Sequence, residues 1–237
     1  MKAVIFAAGL GTRLFPYTKD RPKALVEMNG KPMLEHCLDR FQAVGIREFV
    51  INVHAFADLV EQWIDVYRSQ HPALNILVSD ERDCLLETGG GLKKMRPYLE
   101  DAPFWVHNVD VWSDVDLASI QLKPGSLAGL LVRPEVTDRC FLFDQAGLLC
   151  GWENIQTAAV RMAREPIGEL RRMGFTGMHV VSPALFDKME ETGVFSITDV
   201  YLRLAATNEI YAQDIGRAVW YDVGTPDQLK RASMACL

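Results

Sequence analysis

The chain of 237 residues has no apolar run long enough to cross a bilayer, and a strand-like segment already begins at Lys2, so neither a signal peptide nor a transmembrane helix is expected. Cysteine is sparse. The five (Cys37, Cys84, Cys140, Cys150, Cys236) are odd in number and form no C-x-x-C pair, which argues against a zinc site and a disulfide framework. Reduced thiols fit the cytosol, so a cytoplasmic protein is expected. Basic residues are the minority, 25 against 31 acidic, and the net charge of −6 repels a nucleic-acid backbone. Neither nucleic acid nor a membrane is therefore an expected partner. The histidines (His36, His54, His71, His107, His179) lack metal-ligand spacing, although His107 lies near a candidate metal position. No linker, charge block, repeat or low-complexity segment divides the chain, so residues 1–237 are expected to form one domain.

What is present is an alternation of strand and helix signals, the pattern of a largely parallel sheet with covering helices. KAVIFA from Lys2 leads, and a helix over 33–44 buries Met33, Leu34, Cys37, Leu38 and Phe41. The strand EFVINV over 48–53 follows, then a helix with the stripe Leu59, Val60, Trp63, Ile64 and Tyr67. NILVS near Asn75 and FWVHN near Phe104 read as buried strands. CFLFDQAGLLCGW from Cys140 reads as a hairpin around 144–147, which makes the sheet mixed. MGFTGMHVV, EIYAQDI and AVWYDV supply later strands, and a helix over 225–234 has Thr225 as N-cap and Pro226 at its first position.

The segment KAVIFAAGLGTRLFPYTKDRPKAL carries the most chemistry. Gly9 and Gly11 directly after a strand open backbone N–H groups to an anion, and Arg13 adds a bidentate phosphate ligand. Pro22 biases Arg21 toward an extended conformation and holds Lys23 in a stiff segment. The loop is neither a Walker loop nor a dinucleotide fingerprint, because Thr12, Arg13, Leu14, Phe15 and Pro16 stand where those motifs need other residues.

These residues resemble the sugar 1-phosphate nucleotidyltransferases, whose G-x-G-T-R-[LM]-x-P loop and following P-K pair stand here as Gly9 to Pro16 and Pro22-Lys23. The resemblance continues in LETGGG (86–91), NVDVW (108–112), FTGMHV (175–180) and YDVGTP (221–226). It implies a Rossmann-like, three-layer α/β/α fold of the glycosyltransferase-A-like kind with a mixed, mostly parallel sheet. Arg13 and Lys23 are then the catalytic cations. Ala8, Gly9, Gly11, Thr12, Arg13, Glu87, Thr88, Gly89, Gly90 and Asn108 are implied to meet a nucleoside triphosphate, with the glycines of LETGGG lying against a flat base. Asn108, Glu153, Phe175, Thr176 and Gly177 are implied to meet a sugar 1-phosphate. Asp110 and Asp222 are implied to hold Mg2+, an ion suited to one or two carboxylates plus phosphate oxygens.

The chain departs from the family pattern at Val109, where N-G-D is usual, and at Asn154, where a lysine for the sugar phosphate is usual; Arg171 or Arg172 is the substitute in reach. Bacterial relatives that transfer uridylyl to N-acetylmuramate 1-phosphate share LETGGG and the missing lysine. Uridylyl transfer to an N-acetylated hexose or muramate 1-phosphate is therefore the preferred expectation, with guanylyl transfer to a mannose or heptose 1-phosphate as alternative. No hexapeptide repeats follow Pro226, so no acetyltransferase or regulatory domain is expected. Two other classes compete. A glycosyltransferase would use Asp114-Val115-Asp116 as its D-x-D metal motif, although Ser113 and Asp114 also suit a helix N-cap. A non-catalytic nucleotide-sugar sensor would carry Val109 as its inactivating change.

Overall fold

The computed structural model describes residues 1–135 and 138–235; Cys236 lies outside them. Strand β1 (Ala3–Phe6) is followed by a short β2 (Glu27–Met28) and β3 (Lys31–Pro32), then α1 (Met33–Ala43), β4 (Glu48–Val53), α2 (Ala57–Gln70) and β5 (Asn75–Asp80). Next come α3 (Glu87–Lys94), β6 (Phe104–Asn108), β7 (Val111–Ser113), β8 (Ala128–Arg133), β9 (Arg139–Phe143), β10 (Leu149–Asn154) and β11 (Ala159–Met162). The chain closes with β12 (Arg171–Val181), α4 (Ile197–Ala205), β13 (Ile210–Asp214), β14 (Trp220–Asp222) and α5 (Pro226–Ala235). Among the described residues no helix is long and apolar enough to cross a membrane.

The main sheet is mixed. Strands β5, β4, β1 and β6 lie side by side and parallel. β12 then runs antiparallel to β6, and beyond it lie β8 with β13 and the β9–β10–β11 meander. Successive strand residues point to opposite faces, so the parallel strands feed two cores. Ala3, Ile5, Phe49, Ile51 and Trp105 join the core of α1, α2 and α5; Val4, Phe6, Val50, Phe104 and Val106 join that of α3 and α4. That division gives the three layers. In the first core Phe41 packs its ring 5.7 Å from Trp105 and 6.5 Å from Phe49, and burial of one such ring contributes about 2 kcal/mol.

Helix α1 buries all five residues of its predicted stripe. In α2, Val60, Ile64 and Tyr67 are buried, whereas Leu59 stands at the exposed border. β5 corrects the expectation of a buried strand: it forms the sheet edge and its burial alternates, with Leu77 exposed. The hairpin falls where expected, joining β9 to β10. In the closing helix the N–H of Gln228 donates to Thr225 Oγ1 at 3.3 Å, as an N-cap requires.

Candidate active site

Parallel register brings three strand ends to one edge: Phe6 pairs with Asn52 on one side and with Asn108 on the other. These three residues floor a cavity of about 400 Å³, at the carboxyl ends of the strands where open α/β sheets bind ligands. Ala8, Gly9 and Lys23 form one wall, and Leu85, Glu87, Thr88 and Ser196 face it across the floor. Val109 and Asp110 close the end.

The charges gather at that end. Lys23 and Asp110 form an ion pair with side chains only 12% and 15% exposed. The small sheet of β7 and β14 sets Asp222 opposite Val111, and the Val223 N–H donates to the Asp110 carbonyl at 2.8 Å. Two aspartates far apart in sequence are joined in this way. A methyl group built on Gly224 would lie 2.7 Å from Asp222 Oδ1, 2.9 Å from Arg13 Nη2 and 3.3 Å from Asp110 Oδ2, so the three groups surround one point that a side chain would fill. One Asp222 oxygen accepts from the Gly224 N–H at 2.7 Å. Two carboxylates converging beside a cleft, with two cations at hand, fit a Mg2+ whose remaining ligands come from phosphate and water.

Gly11, Thr12 and Arg13 lie in the turn beyond Gly9, outside the cavity lining; Gly11 rests against Lys23, to whose Cβ a side chain there would approach within 3.0 Å. The loop and the lysine are thus built as one unit.

Two residues that sequence reasoning missed hold the walls together. Asn52 Oδ1 accepts from the N–H groups of Ala7 and Ala8 at 2.7 and 3.3 Å. Its Nδ2 donates to Glu81 Oε1 at 2.8 Å, and Glu81 Oε2 accepts from the Leu86 N–H at 3.1 Å. Glu81 is 2% exposed. A buried carboxylate therefore ties the start of the glycine loop to the entry of α3. The signal was available: Asn52 is a polar residue inside the apolar run EFVINV.

Several expected ligand residues are used by the protein itself. Gly89 and Gly90 lie in α3, not in a loop, and their N–H groups donate to the Phe195 carbonyl at 2.9 and 3.2 Å. A Cβ on Gly89 would run into the Phe195 ring and one on Gly90 into the Gly193 carbonyl, so these glycines admit the 193–195 segment where a base was expected. Thr88 Oγ1 accepts from the Ile197 N–H at 3.0 Å while lining the cavity. Thr176 is buried, its hydroxyl donating to the Leu131 carbonyl at 2.8 Å and its carbonyl accepting from Trp220 Nε1 at 2.9 Å. Gly177, at φ +80°, backs onto Asn108, whose Nδ2 would lie 2.7 Å from any Cβ added there.

Glu153 is engaged by Arg172 in a bidentate pair of 2.7 and 3.1 Å, which holds its carboxyl below the usual carboxylate range. Neither residue lines the cavity, and the Arg172 guanidinium is engaged by Glu153. In the D-x-D segment Asp114 Oδ1 accepts from the Val219 N–H at 2.7 Å. Asp116, rather than Ser113 or Asp114, caps the next turn by accepting from the Ala118 N–H at 3.0 Å. His107 is turned into the core, 5.6 Å from the Phe41 ring, with Nδ1 on the Asn108 carbonyl at 2.7 Å. Burial lowers its pKa to about 4, so it is neutral and packs beneath the site.

A second cavity of about 500 Å³ adjoins the first at Ser196, and Phe175 stands in its wall.

Residues 2–122 match the family described as nucleotidyl transferase. The chain is 34% identical, over 99% of its own length and 96% of the relative's, to an N-acetylmuramate alpha-1-phosphate uridylyltransferase of Caulobacter vibrioides. It is 27% identical, over 95% of its own length and 61% of the relative's, to a mannose-1-phosphate guanyltransferase of Schizosaccharomyces pombe. Among solved structures, the inositol-1-phosphate CTP transferase from T. maritima superposes with a TM-score of 0.79, covering 98% of this chain and 93% of that one at 18% identity, a likeness of fold.

Proposed function

The chain belongs to the nucleotidyl transferase family, and from that premise we propose that it makes a nucleoside diphosphate sugar from a nucleoside triphosphate and a sugar 1-phosphate, with residues 1–237 acting as one catalytic domain. Uridylyl transfer to N-acetylmuramate 1-phosphate, or to a related N-acetylated hexose 1-phosphate, is the preferred pair. It is supported by the relative that the chain matches along nearly its whole length, whereas the guanyltransferase match spans 61% of that relative. The product would be a cytoplasmic precursor of cell wall or polysaccharide.

The observation that carries the reading is the convergence of Arg13, Asp110 and Asp222 on one point beside Lys23, next to the part of the cavity that Lys23 and Asp110 line. A sugar-phosphate oxygen attacks the α-phosphorus, the new O–P bond forms as the bond to the β-phosphate oxygen breaks, and pyrophosphate leaves with the electron pair. The work of such a site is positioning and charge compensation. Arg13 neutralises the departing phosphates, and Lys23 leaves Asp110 to bridge the α-phosphate and the attacking phosphate. Asp110 and Asp222 are the residues that would hold Mg2+, which when bound supplies further charge compensation at the α-phosphate. Glu87, Thr88 and Ser196 face the base and ribose. Val109 is part of the wall and is compatible with a cavity of this volume.

UTP labelled at the α-phosphorus tests the reading: the label is expected in the nucleotide sugar and never on the protein. Label retained on the protein after denaturation, or on free UMP alone, contradicts direct transfer.

A further inference from the structure

The second cavity has a composition that the reaction itself does not require. β9, β10 and β11 lie side by side, and Arg161, Trp152 and Phe141 stand opposite one another across them. Arg139 precedes Phe141 by two residues and so shares its face. Phe175 packs its ring 5.6 Å from Phe141. The result is an aromatic platform of Phe141, Trp152 and Phe175 with two arginines beside it, and all five residues line the cavity. The opposite wall is the start of α4, with the Ser196 and Thr198 hydroxyls and Asp199. Asp199 Oδ1 accepts from Arg161 Nη1 at 2.6 Å in a half-exposed pair, and the other N–H groups of that guanidinium have no partner among the described residues.

Charge decides what this cavity takes. Its lining holds two cations, Arg139 and Arg161, against one anion, Asp199, in a chain whose net charge is −6. A neutral sugar can accept hydrogen bonds from these arginines through its hydroxyls but leaves the excess positive charge beside the apolar floor unmatched. A carboxylate matches it, since the planar guanidinium fork pairs with a carboxylate through two charge-assisted hydrogen bonds. We infer that Arg139 and Arg161 read a carboxylate carried on the ring of the sugar 1-phosphate, while the platform takes the apolar face of the ring. The inference rests on the proposal that a sugar 1-phosphate occupies this cleft, and it gives the selectivity for muramate-type sugars a location in the chain.

The test compares N-acetylmuramate 1-phosphate with N-acetylglucosamine 1-phosphate, the same ring without the carboxylate, and with glucose 1,6-bisphosphate, an anionic control lacking one. Affinities are measured by titration calorimetry with and without a UTP analogue whose α,β bridge cannot be cleaved, on the wild type, Arg139→Gln and Arg161→Gln. The wild type is expected to favour the carboxylate sugar on the order of tenfold or more, and each substitution to reduce that ratio on the order of tenfold. Arg161→Lys, which keeps the charge without the fork, is expected to restore part of it. Equal affinities for the two N-acetylated sugars, a preference for the bisphosphate, an unchanged ratio in both variants, or no binding of any sugar phosphate overturns the inference. Turnover is read separately: a preserved binding ratio without pyrophosphate release contradicts the proposed reaction and leaves the carboxylate assignment standing.

Discussion

Lys23 is held where a single cation must serve two partners in succession. Its ammonium lies on Asp110 in a nearly buried pair, on a loop fixed by Pro22 and the turn Lys23–Leu25. In the proposed reaction it moves to the phosphates, which frees Asp110, one of the two residues that would hold the metal. Lys23→Ala therefore removes a charge the transition state needs, and turnover is expected to fall on the order of 10²–10³-fold with the circular dichroism of the folded chain retained. Pyrophosphate release at the wild-type rate would contradict the role. Neighbouring glycines separate by the same logic. A Cβ on Gly9 meets nothing within 4 Å, yet Gly9 lines the cavity, so Gly9→Ala is expected to keep its stability and raise the KM for the triphosphate. Gly89→Ala is expected to do the opposite, costing about 1–3 kcal/mol of stability in urea unfolding because Phe195 must move.

At the scale of elements, the two walls of the cleft are joined by polar groups with a fixed direction of donation. The order runs from the Ala7 and Ala8 N–H groups to Asn52, from Asn52 to Glu81, and from the Leu86 N–H to Glu81. Glu81→Gln sets an amide NH2 against another donor, and Asn52→Asp sets two carboxylates face to face. Each is expected to cost about 1–3 kcal/mol or more. Combining Asn52→Asp with Glu81→Gln restores every donor to an acceptor with the same net charge. Urea unfolding of the four proteins should therefore give a coupling free energy above about 1 kcal/mol. A coupling of zero would mean that the chain of bonds does not bear on the fold.

The elements also show what the sequence could and could not convey. Local signals were sufficient for β4, which spans the predicted residues, for the α1 stripe and for the cap at Thr225, because period, propensity and capping act within a few residues. β5 was misjudged because an apolar run does not say whether a strand lies at the centre or the edge of a sheet. Glu153 and Arg172 meet from strands on either side of β9, and Gly89 meets a segment more than a hundred residues away. Such pairings depend on register, which the residue pattern of either partner alone does not contain. Glu81 was invisible for the same reason: its partners belong to β4 and to the entry of α3.

For the whole molecule, acid is the condition that most separates the folded from the unfolded chain. His107 and His179 are buried, and burial lowers their pKa values to about 4 and about 3, against about 6.5 in the unfolded chain. Below pH 6.5 the unfolded chain takes up protons that the native state refuses. Stability is therefore expected to be full above that pH and to fall as pH drops from 6.5 toward 4, by about 3 kcal/mol for His107 alone. Among the described residues His179 has no hydrogen-bond partner at either ring nitrogen, and it packs against Phe175 and Tyr201. His179→Phe is thus expected to stabilise the protein at neutral pH and to flatten the acid limb of the midpoint-against-pH curve. An unchanged acid slope would contradict the assignment of that limb to buried histidine.

The two cavities, the paired aspartates and the tethered walls act together only if the chain joins two substrates. Pyrophosphate release in the presence of magnesium, crossing UTP, GTP, CTP, dTTP and ATP with a panel of α-sugar 1-phosphates, measures this most directly. Release that requires UTP and an N-acetylated sugar 1-phosphate together is the predicted result. Release from a triphosphate alone, or silence across the panel while nucleotide sugars still bind, would contradict it, and the second outcome would make the chain a nucleotide-sugar binder with Val109→Gly as the variant to restore transfer.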